Sequence, residues 1–472
     1  MAEEKSEALE RARKMLDAGD LDGSWLLAES LLAEEPDNKS ALILATYVAW
    51  KANRFVIGYQ FGKRAVAIAP QEPMAWLNLG ICCHDLWRYE EAEEALRNAA
   101  RMSGNKELSA MANMNLAAHY IDYGMFPEAE KASREALKHS PFSPKAKANL
   151  GFSMLAQRKW DGWEFYSYCL GLSHRQKQKF GEEPDWNGEP GKTVVLYGEQ
   201  GVGDEVSFAS MVPDAIRDCK KVIFSCDEKL AGLFARSFPT AKVYGTRKAK
   251  AGDGKRWDKD DWQFDASLAL GELGALYRRK DEDFPGTPYL IPDPDRRKMW
   301  RALLGEKQKP IIGIAWTGGM HHTAGKFRTL ALEEMLPILR SIDAHWVCLQ
   351  YKDAAAEIKT FREAHPEIDL VQYPFATLTP DYDDTAALVA ELDLVVTVQT
   401  AIVHLCGAIG KECWVLLPKC SQWRYGSEGD NTLWYKSVKL FRQRRLGQWA
   451  PAIGDVIGAL RKRFGEQKRI AA

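Results

Sequence analysis

The chain has 472 residues, 46% of them hydrophobic and 27% charged, with a formal net charge of -1. That length suggests two to four domains of ordinary globular composition. The near-zero charge supplies no global field to draw in nucleic acid or an anionic membrane surface, and the chain has no run of about 18 apolar residues to cross a membrane. The N-terminus, Met-Ala-Glu-Glu-Lys-Ser-Glu, is charged and lacks the apolar core of a secretory signal, so a cytoplasmic protein is expected. The nine cysteines are scattered without a Cys-x-x-Cys pair, and they read as small buried hydrophobes in a reducing compartment. Most of the sixteen tryptophans lie from Trp160 onward, where they read as core and pocket wall.

Residues 1–170 carry a repeat. Pro36 and Pro70 close similar Ala-rich segments, and Pro141 closes another about two periods later. The pairs Asn78-Leu79, Asn115-Leu116 and Asn149-Leu150 recur at nearly the same spacing, each followed by an aromatic, Tyr89, Phe126 or Trp160. A period of about 34 residues with small alanines and gap-filling aromatics resembles helix-turn-helix tetratricopeptide repeats. About four units fit between residues 5 and 143, with a partial one to about Tyr168; the third is lengthened near Met102-Ser-Gly-Asn-Lys. Such an array offers a concave face, so a protein partner, an acceptor or a second copy of the chain is expected to dock there, with a packing scaffold as the alternative. His84, His119 and His139 occur singly on these helices and read as structural.

Polar text over 171–192, rich in Gly and Pro, reads as a linker. Beyond it strands alternate with helical stretches, which argues for parallel sheets. A first lobe, 193–305, has strands at Thr193–Tyr197, Lys221–Ser225 and 241–244, and a helical stretch at 206–216. A second lobe, 306–472, has strands at 310–316, 345–349, 370–372, 392–398 and 412–417, a helix over Ala401–Ile409, and a closing C-terminal helix. Asp293-Pro-Asp295 reads as a turn between the lobes.

The strand ending at Tyr197 runs into Gly198-Glu-Gln-Gly-Val-Gly-Asp204-Glu205. Glycine lets backbone approach a ligand closely, and a strand-to-helix junction is where open α/β sheets bind ligands. Together with Trp186-Asn-Gly-Glu-Pro-Gly-Lys-Thr, Gly313-Ile-Ala-Trp-Thr-Gly, Asp384-Thr-Ala-Ala-Leu, the run from Leu392 to Ala408, and Leu433-Trp-Tyr through Leu440-Phe-Arg-Gln, this text resembles the heptosyltransferase-like glycosyltransferases of family 9, in the form fused to tetratricopeptide repeats. The likeness extends to about Ile453. It implies an α-helical tetratricopeptide solenoid followed by an α/β GT-B fold: two Rossmann-like lobes with a central cleft, acceptor lobe first and nucleotide-sugar donor lobe second.

The resemblance implies an inverting, metal-independent transfer of a hexosyl or heptosyl group from a nucleotide-diphosphate sugar to an acceptor hydroxyl, with no cofactor. The acceptor is a glycan, a lipid-linked sugar or a protein. Asp204 then matches the base, with Glu205 in reserve and Glu199 orienting either one or the acceptor, and Glu199, Gln200, Gly201 and Gly203 are expected to bind substrate from the turn. Asp is equally at home as the N-cap of the following helix. The Ala401–Ile409 helix would offer free N–H groups and a positive dipole end to a diphosphate, aided by Thr400, Ala401 and His404. Trp316, Thr317 and Gly318 open a loop from which Lys326 and Arg328 could neutralise the leaving group. His321 and His322 lack a third ligand in sequence, so no metal site is expected there. Trp423 and Arg424 are placed at the base or sugar pocket, and Arg442-Gln443 closes the chain back on the cleft. The family carries an Asp where this chain has Gln399, which can neither hold charge nor take a proton. That substitution favours a rival reading, a non-catalytic interaction protein with a degenerate transferase fold. A protein O-glycosyltransferase is the other alternative.

Overall fold

The computed structural model describes residues 2–102, 104–172, 175–247, 257–306, 308–319 and 325–465. The chain forms two compact units, Met1–Ser153 and Met154–Ala472.

The first unit is an array of helical hairpins: Ala2–Asp17 with Leu21–Glu34, Lys39–Lys51 with Phe55–Ile68, Pro73–Asp85 with Tyr89–Met102, and Lys106–Asp122 with Phe126–His139, followed by Pro144–Ala156. Alanines at 0–1% exposure, among them Ala28, Ala45, Ala65, Ala95 and Ala117, let the helices approach closely. Each first helix ends on a residue with positive φ: Gly19 (84°), Asn53 (58°), Trp87 (58°) and Gly124 (71°). Beside each, the next N–H reaches back five residues to a helical carbonyl, as in Arg54 N–H to Ala49 (2.8 Å) and Met125 N–H to Tyr120 (2.8 Å). This closure satisfies carbonyls that the helix end leaves unpaired. Arg158 (57°) continues the series, with Lys159 N–H bonded to Met154 (3.0 Å). Two of the recurring asparagines tie one hairpin to the preceding one: Asn78 donates to the carbonyl of Ile43 (3.0 Å) and Asn149 to that of Met114 (3.1 Å). Asn115 breaks the rule and donates within its own helix, to Met111 (2.9 Å).

The second unit is α/β with two sheets. The first contains β1 (Thr193–Tyr197), β2 (Lys221–Ser225), β3 (Lys242–Tyr244) and β4 (Ala266–Ala269), all parallel, in the order β3-β2-β1-β4. The second contains β5 (Ile311–Ala315), β6 (His345–Cys348), β7 (Leu370–Gln372), β8 (Leu394–Val398), β9 (Cys413–Leu417), β10 (Asn431–Thr432) and β11 (Tyr435–Arg442), in the order β10-β11-β9-β8-β5-β6-β7. All neighbours here are parallel except β10 and β11. β5, β8 and β9 are buried along their whole length, which is why they read as unbroken apolar runs. The C-terminal helix, Ala450–Phe464, lays Ala452, Ile453, Val456 and Leu460 on the second sheet's core.

Several boundaries differ from those expected. The segment from Met154 to Leu170 belongs to the α/β unit, because Trp163 fills the space over Gly274 and donates to the Arg278 carbonyl (2.9 Å). The first-lobe helix starts at Val202 and is broken by a tight turn at Ala209–Met211 ahead of Pro213. Asp293 is no turn residue: it caps the helix Pro294–Leu304, accepting from the N–H groups of Asp295 (2.9 Å) and Arg296 (3.0 Å). The segment that forms this helix, placed by sequence at the end of the first lobe, packs on the second. Arg296 pairs with Asp384 (2.6 Å), Arg297 with Glu391 (2.7 Å), and Trp300 stacks on Phe375 (5.1 Å).

Candidate functional site

Strand order reverses between β1 and β4 in the first sheet and between β5 and β8 in the second. Open α/β sheets bind ligands outside the carboxyl ends of the strands at such points. The connections leaving β1, β5 and β8 are the Gly198–Asp204 turn, the Trp316–Gly319 loop and Gln399–Thr400. Gly203 meets Ala401 so closely that a Cβ there would lie 3.2 Å from the Ala401 Cα and 3.3 Å from the His404 ring. A Cβ on Gly318 would press on the Gln399 carbonyl at 2.8 Å. The three connections therefore converge through glycine backbone.

Within the first turn the two adjacent acids take opposite roles. Glu205 is 1% exposed; it accepts from Asp227 N–H (2.8 Å) and pairs with Arg247, which also holds Asp227. A Cβ on Gly198 would overlap its carboxyl, so glycine is required where Glu205 tucks under the turn. Burial pushes the Glu205 carboxyl up to about 8 against the pull of Arg247. Asp204 faces the second lobe with 27% of its side chain exposed and forms an ion pair with Arg424 (2.8 Å). It is not the N-cap. Gly201 holds that position in the helix Val202–Phe208, and Asp204, three residues on, accepts from the Gly201 N–H (3.2 Å).

Glu199 is 3% exposed and bound to Arg175 (3.0 Å), to Gly271 N–H (3.2 Å) and to the Gln200 amide (3.2 Å). Arg175 also pairs with Glu272 (2.7 Å) and lies 4.2 Å over the Tyr166 ring, whose hydroxyl accepts from Gln200 (2.8 Å). Glu199 and Gln200 thus brace the turn from behind.

On the second lobe Thr400 is the N-cap of Ala401–Ile409, accepting from Ile402 N–H (3.3 Å). His404 is 6% exposed and shares a hydrogen bond with the Tyr435 hydroxyl (3.1 Å). Burial, reinforced by the Arg424 charge, pulls its imidazole down to about 3, so it is neutral at pH 7. Gln399 is 2% exposed: its Oε1 accepts from Gln422 N–H (3.4 Å), and its Nε2 has no hydrogen-bond partner among the described residues. Arg424 is 6% exposed, its guanidinium 4.4 Å over Phe208 and 4.7 Å over Trp423. Trp423 is fixed by edge-on contacts with Trp163 (5.4 Å) and Tyr166 (5.7 Å). Arg442 holds the loop that carries Arg424, donating to the carbonyls of Tyr425, Gly426 (3.2 Å) and Glu428 (3.2 Å).

The loop after β5 departs most from the sequence reading. Trp316, expected at the substrate, is 1% exposed in the second lobe's core, with its indole N–H on Glu357 (3.2 Å). Thr317 N–H is held by Gln350 (3.3 Å), and Gly318 exchanges bonds with the Thr329 hydroxyl (3.2 and 3.3 Å). Arg328 is 5% exposed and packs on Gly319, which has φ +74°. Lys326 is exposed, with its ammonium 5.3 Å from the Phe327 ring. His321 and His322 lie outside the described residues. Arg175, Arg247 and Tyr166 complete the site without any local signal in the sequence, together with Phe208 and Tyr435, which lie in the text that carries the family resemblance but are not singled out by it as site residues. Arg175 stands within text that reads as a linker, and the others look like ordinary core or surface. Among the described residues, no group of three or more metal-ligating side chains occurs and no helix is long and apolar enough to cross a membrane.

No protein-family model matches the chain. It is 31% identical over 428 residues to Protein FlbA of Caulobacter vibrioides, an alignment that covers 84% of this chain and 69% of that protein. Among solved structures it is similar to a thermophilic TPR protein of Thermus thermophilus (20% identity, TM-score 0.31, 36% of this chain and 91% of that one). It is also similar to PilF of Pseudomonas aeruginosa (15% identity, TM-score 0.34, 38% of this chain and 79% of that one).

Proposed function

The chain belongs to the family of Protein FlbA, and we propose that its α/β unit is an inverting glycosyltransferase of GT-B type that uses a nucleotide-diphosphate sugar. One observation carries the reading. A carboxylate on the turn after β1 and a buried guanidinium from the second lobe meet at 2.8 Å, beside the N-terminus of the Ala401–Ile409 helix. Base and anion-holding groups are what a displacement at an anomeric carbon needs together.

In this reaction the acceptor oxygen attacks the anomeric carbon as its proton passes to Asp204. The bond from that carbon to the diphosphate oxygen breaks, and its electron pair leaves with the diphosphate. Arg424, the Ala401 N–H and the helix dipole stabilise the departing charge, and Gln399 donates its spare amide N–H to the same ligand. His404, neutral and tied to Tyr435, shapes the wall. The repeat array is the docking surface for the acceptor; support comes from a groove of about 490 Å³ beside Met111, Met114 and His139, and from Phe142, 88% exposed.

Asp204→Asn should reduce transfer by about 10²–10⁴-fold, the usual contribution of a positioned base, and leave nucleotide binding in place. Turnover at the wild-type rate in that variant removes Asp204 from the role. The family-9 resemblance favours a glycan acceptor and the array favours a protein. A mass increase on intact acceptor protein, compared with one on extracted glycan, separates the two.

A further inference from the structure

We propose that Arg424 is shared between Asp204 and the donor's diphosphate, so that the base stays occupied until the donor arrives. The inference rests on the transferase reading above and adds an order of events to it. Arg424 is clamped between Phe208 of the first lobe and Trp423 of the second and is almost fully buried, so its charge cannot turn to water. Its carboxylate partner is Asp204, an ion pair at 2.8 Å, and neither its Nε nor the Nη2 of that pair makes a hydrogen bond among the described residues. Other arginines of the α/β unit are differently satisfied: Arg175 is matched by Glu199 and Glu272, half-buried Arg247 by Glu205 and Asp227, and buried Arg278 by Asp214 and the carbonyls of Tyr277 and Ser210. A guanidinium has five N–H donors in a fixed fork suited to paired oxygens. The nearby Gln399 Nε2 is a second buried donor without a partner among the described residues. Unfilled donors on Arg424, with another on Gln399, which holds Gln422 of the segment that leads to Arg424, suit an anion with more oxygens and more charge than a carboxylate has.

While Asp204 is paired with Arg424, the oxygen that would take the acceptor's proton is engaged in that ion pair. A diphosphate, the stronger anionic partner, draws the fork to itself and frees that oxygen, and Gly201 N–H keeps the other oxygen in place. Arg424 stays protonated throughout. The proton lost by the acceptor ends on Asp204, and the electron pair of the broken bond ends on the diphosphate. Donor therefore binds before the acceptor is activated, which protects the donor from loss to water.

The test is a binding cycle on the full chain, titrating inorganic pyrophosphate and then the nucleoside diphosphates UDP, ADP, GDP and CDP. Asp204→Asn should bind pyrophosphate roughly fivefold more tightly, because the competing ion pair is gone. Arg424→Gln should bind it about tenfold or more weakly, with Arg424→Lys in between because it keeps the charge without the fork. In the double variant the gain from Asp204→Asn should vanish. A gain that persists without Arg424 reflects simple repulsion by Asp204 and overturns the sharing, as does an Arg424→Gln variant that melts like wild type and binds equally well. If Arg424→Gln does not fold, Arg424→Lys decides: unchanged affinity in it and in Asp204→Asn overturns the proposal. Wild-type protein that binds none of these anions overturns the transferase reading as well, whereas binding that ignores both residues overturns the sharing alone.

Discussion

His404 shows what burial does to one side chain at this site. Its imidazole is held neutral next to a guanidinium, with a folded-state value of about 3 against an ordinary 6.5. Below pH 6.5 the unfolded chain takes up a proton that the folded chain refuses, so stability rises with pH from about 3 to 6.5 and is lost on acidification through that window. The share of His404 in the change between pH 7 and 4.5 should be a loss of about 2.5 kcal/mol, read in denaturant titrations as the difference between wild type and a His404 variant. His404→Gln, which keeps a partner for Tyr435, should lack that component; equal losses in both proteins contradict the assignment. The neighbouring acids separate in the same way. Glu205→Gln keeps the shape of a clamp already pushed towards its neutral form, and should retain turnover within a few fold where Asp204→Asn does not. Gly407 supports Tyr435 from behind: any Cβ there overlaps the Tyr435 ring, so Gly407→Ala should cost about 1–3 kcal/mol or displace Tyr435 from His404. Little of this was legible in the sequence. The Gly-x-Gly-Asp text marked the turn, but which acid faces the second lobe depends on Arg247 and Arg424, which meet the turn only in the fold.

At the scale of elements, the hairpin turns carry the repeat more faithfully than the helices do. Their positive-φ residues, Gly19, Asn53, Trp87, Gly124 and Arg158, recur at 34 residues except across the lengthened third unit. Two of the five are glycine, so a pattern search on composition passes over the rest. A Cβ on Gly19 meets nothing within 4 Å, so Gly19→Ala isolates the backbone term and should lower the stability of the array by about 1 kcal/mol. No measurable change would mean the turn relaxes out of its left-handed conformation. The apolar strands β1, β2, β5, β8 and β9 were readable because both faces are buried. β4, four residues of Ala-Ser-Leu-Ala, has too little β-branched character to stand out, and β11 alternates exposed and buried positions beside a short antiparallel partner. The helix Pro294–Leu304 was hidden by its own cap: Asp293-Pro-Asp295 is a helix start in the structure and a turn in the sequence.

For the whole molecule, the division into units is the consequence most open to experiment. The sequence repeat continues to Trp160, with a partial unit to about Tyr168, so sequence alone carries the array to residue 170, whereas packing assigns 154 onward to the α/β unit. Trp163 and Tyr166, each 1% exposed, are core residues of that unit. A fragment spanning 154–472 should fold with one cooperative melt, and one spanning 171–472, which loses both aromatics, should be destabilised by about 3–5 kcal/mol for each large side chain removed. Equal melting of the two fragments contradicts the assignment.

The central claim is that the carboxyl ends of β1, β5 and β8 hold a nucleotide diphosphate. A thermal melt of the full chain with UDP, ADP, GDP and CDP tests it directly. A nucleotide present at about 100 times its dissociation constant should add roughly 2.7 kcal/mol, a rise in melting temperature of several degrees for one base over the others. Melting temperatures that none of the four nucleotides moves would contradict the transferase reading and leave Protein FlbA's relative as an interaction protein built on an α/β scaffold.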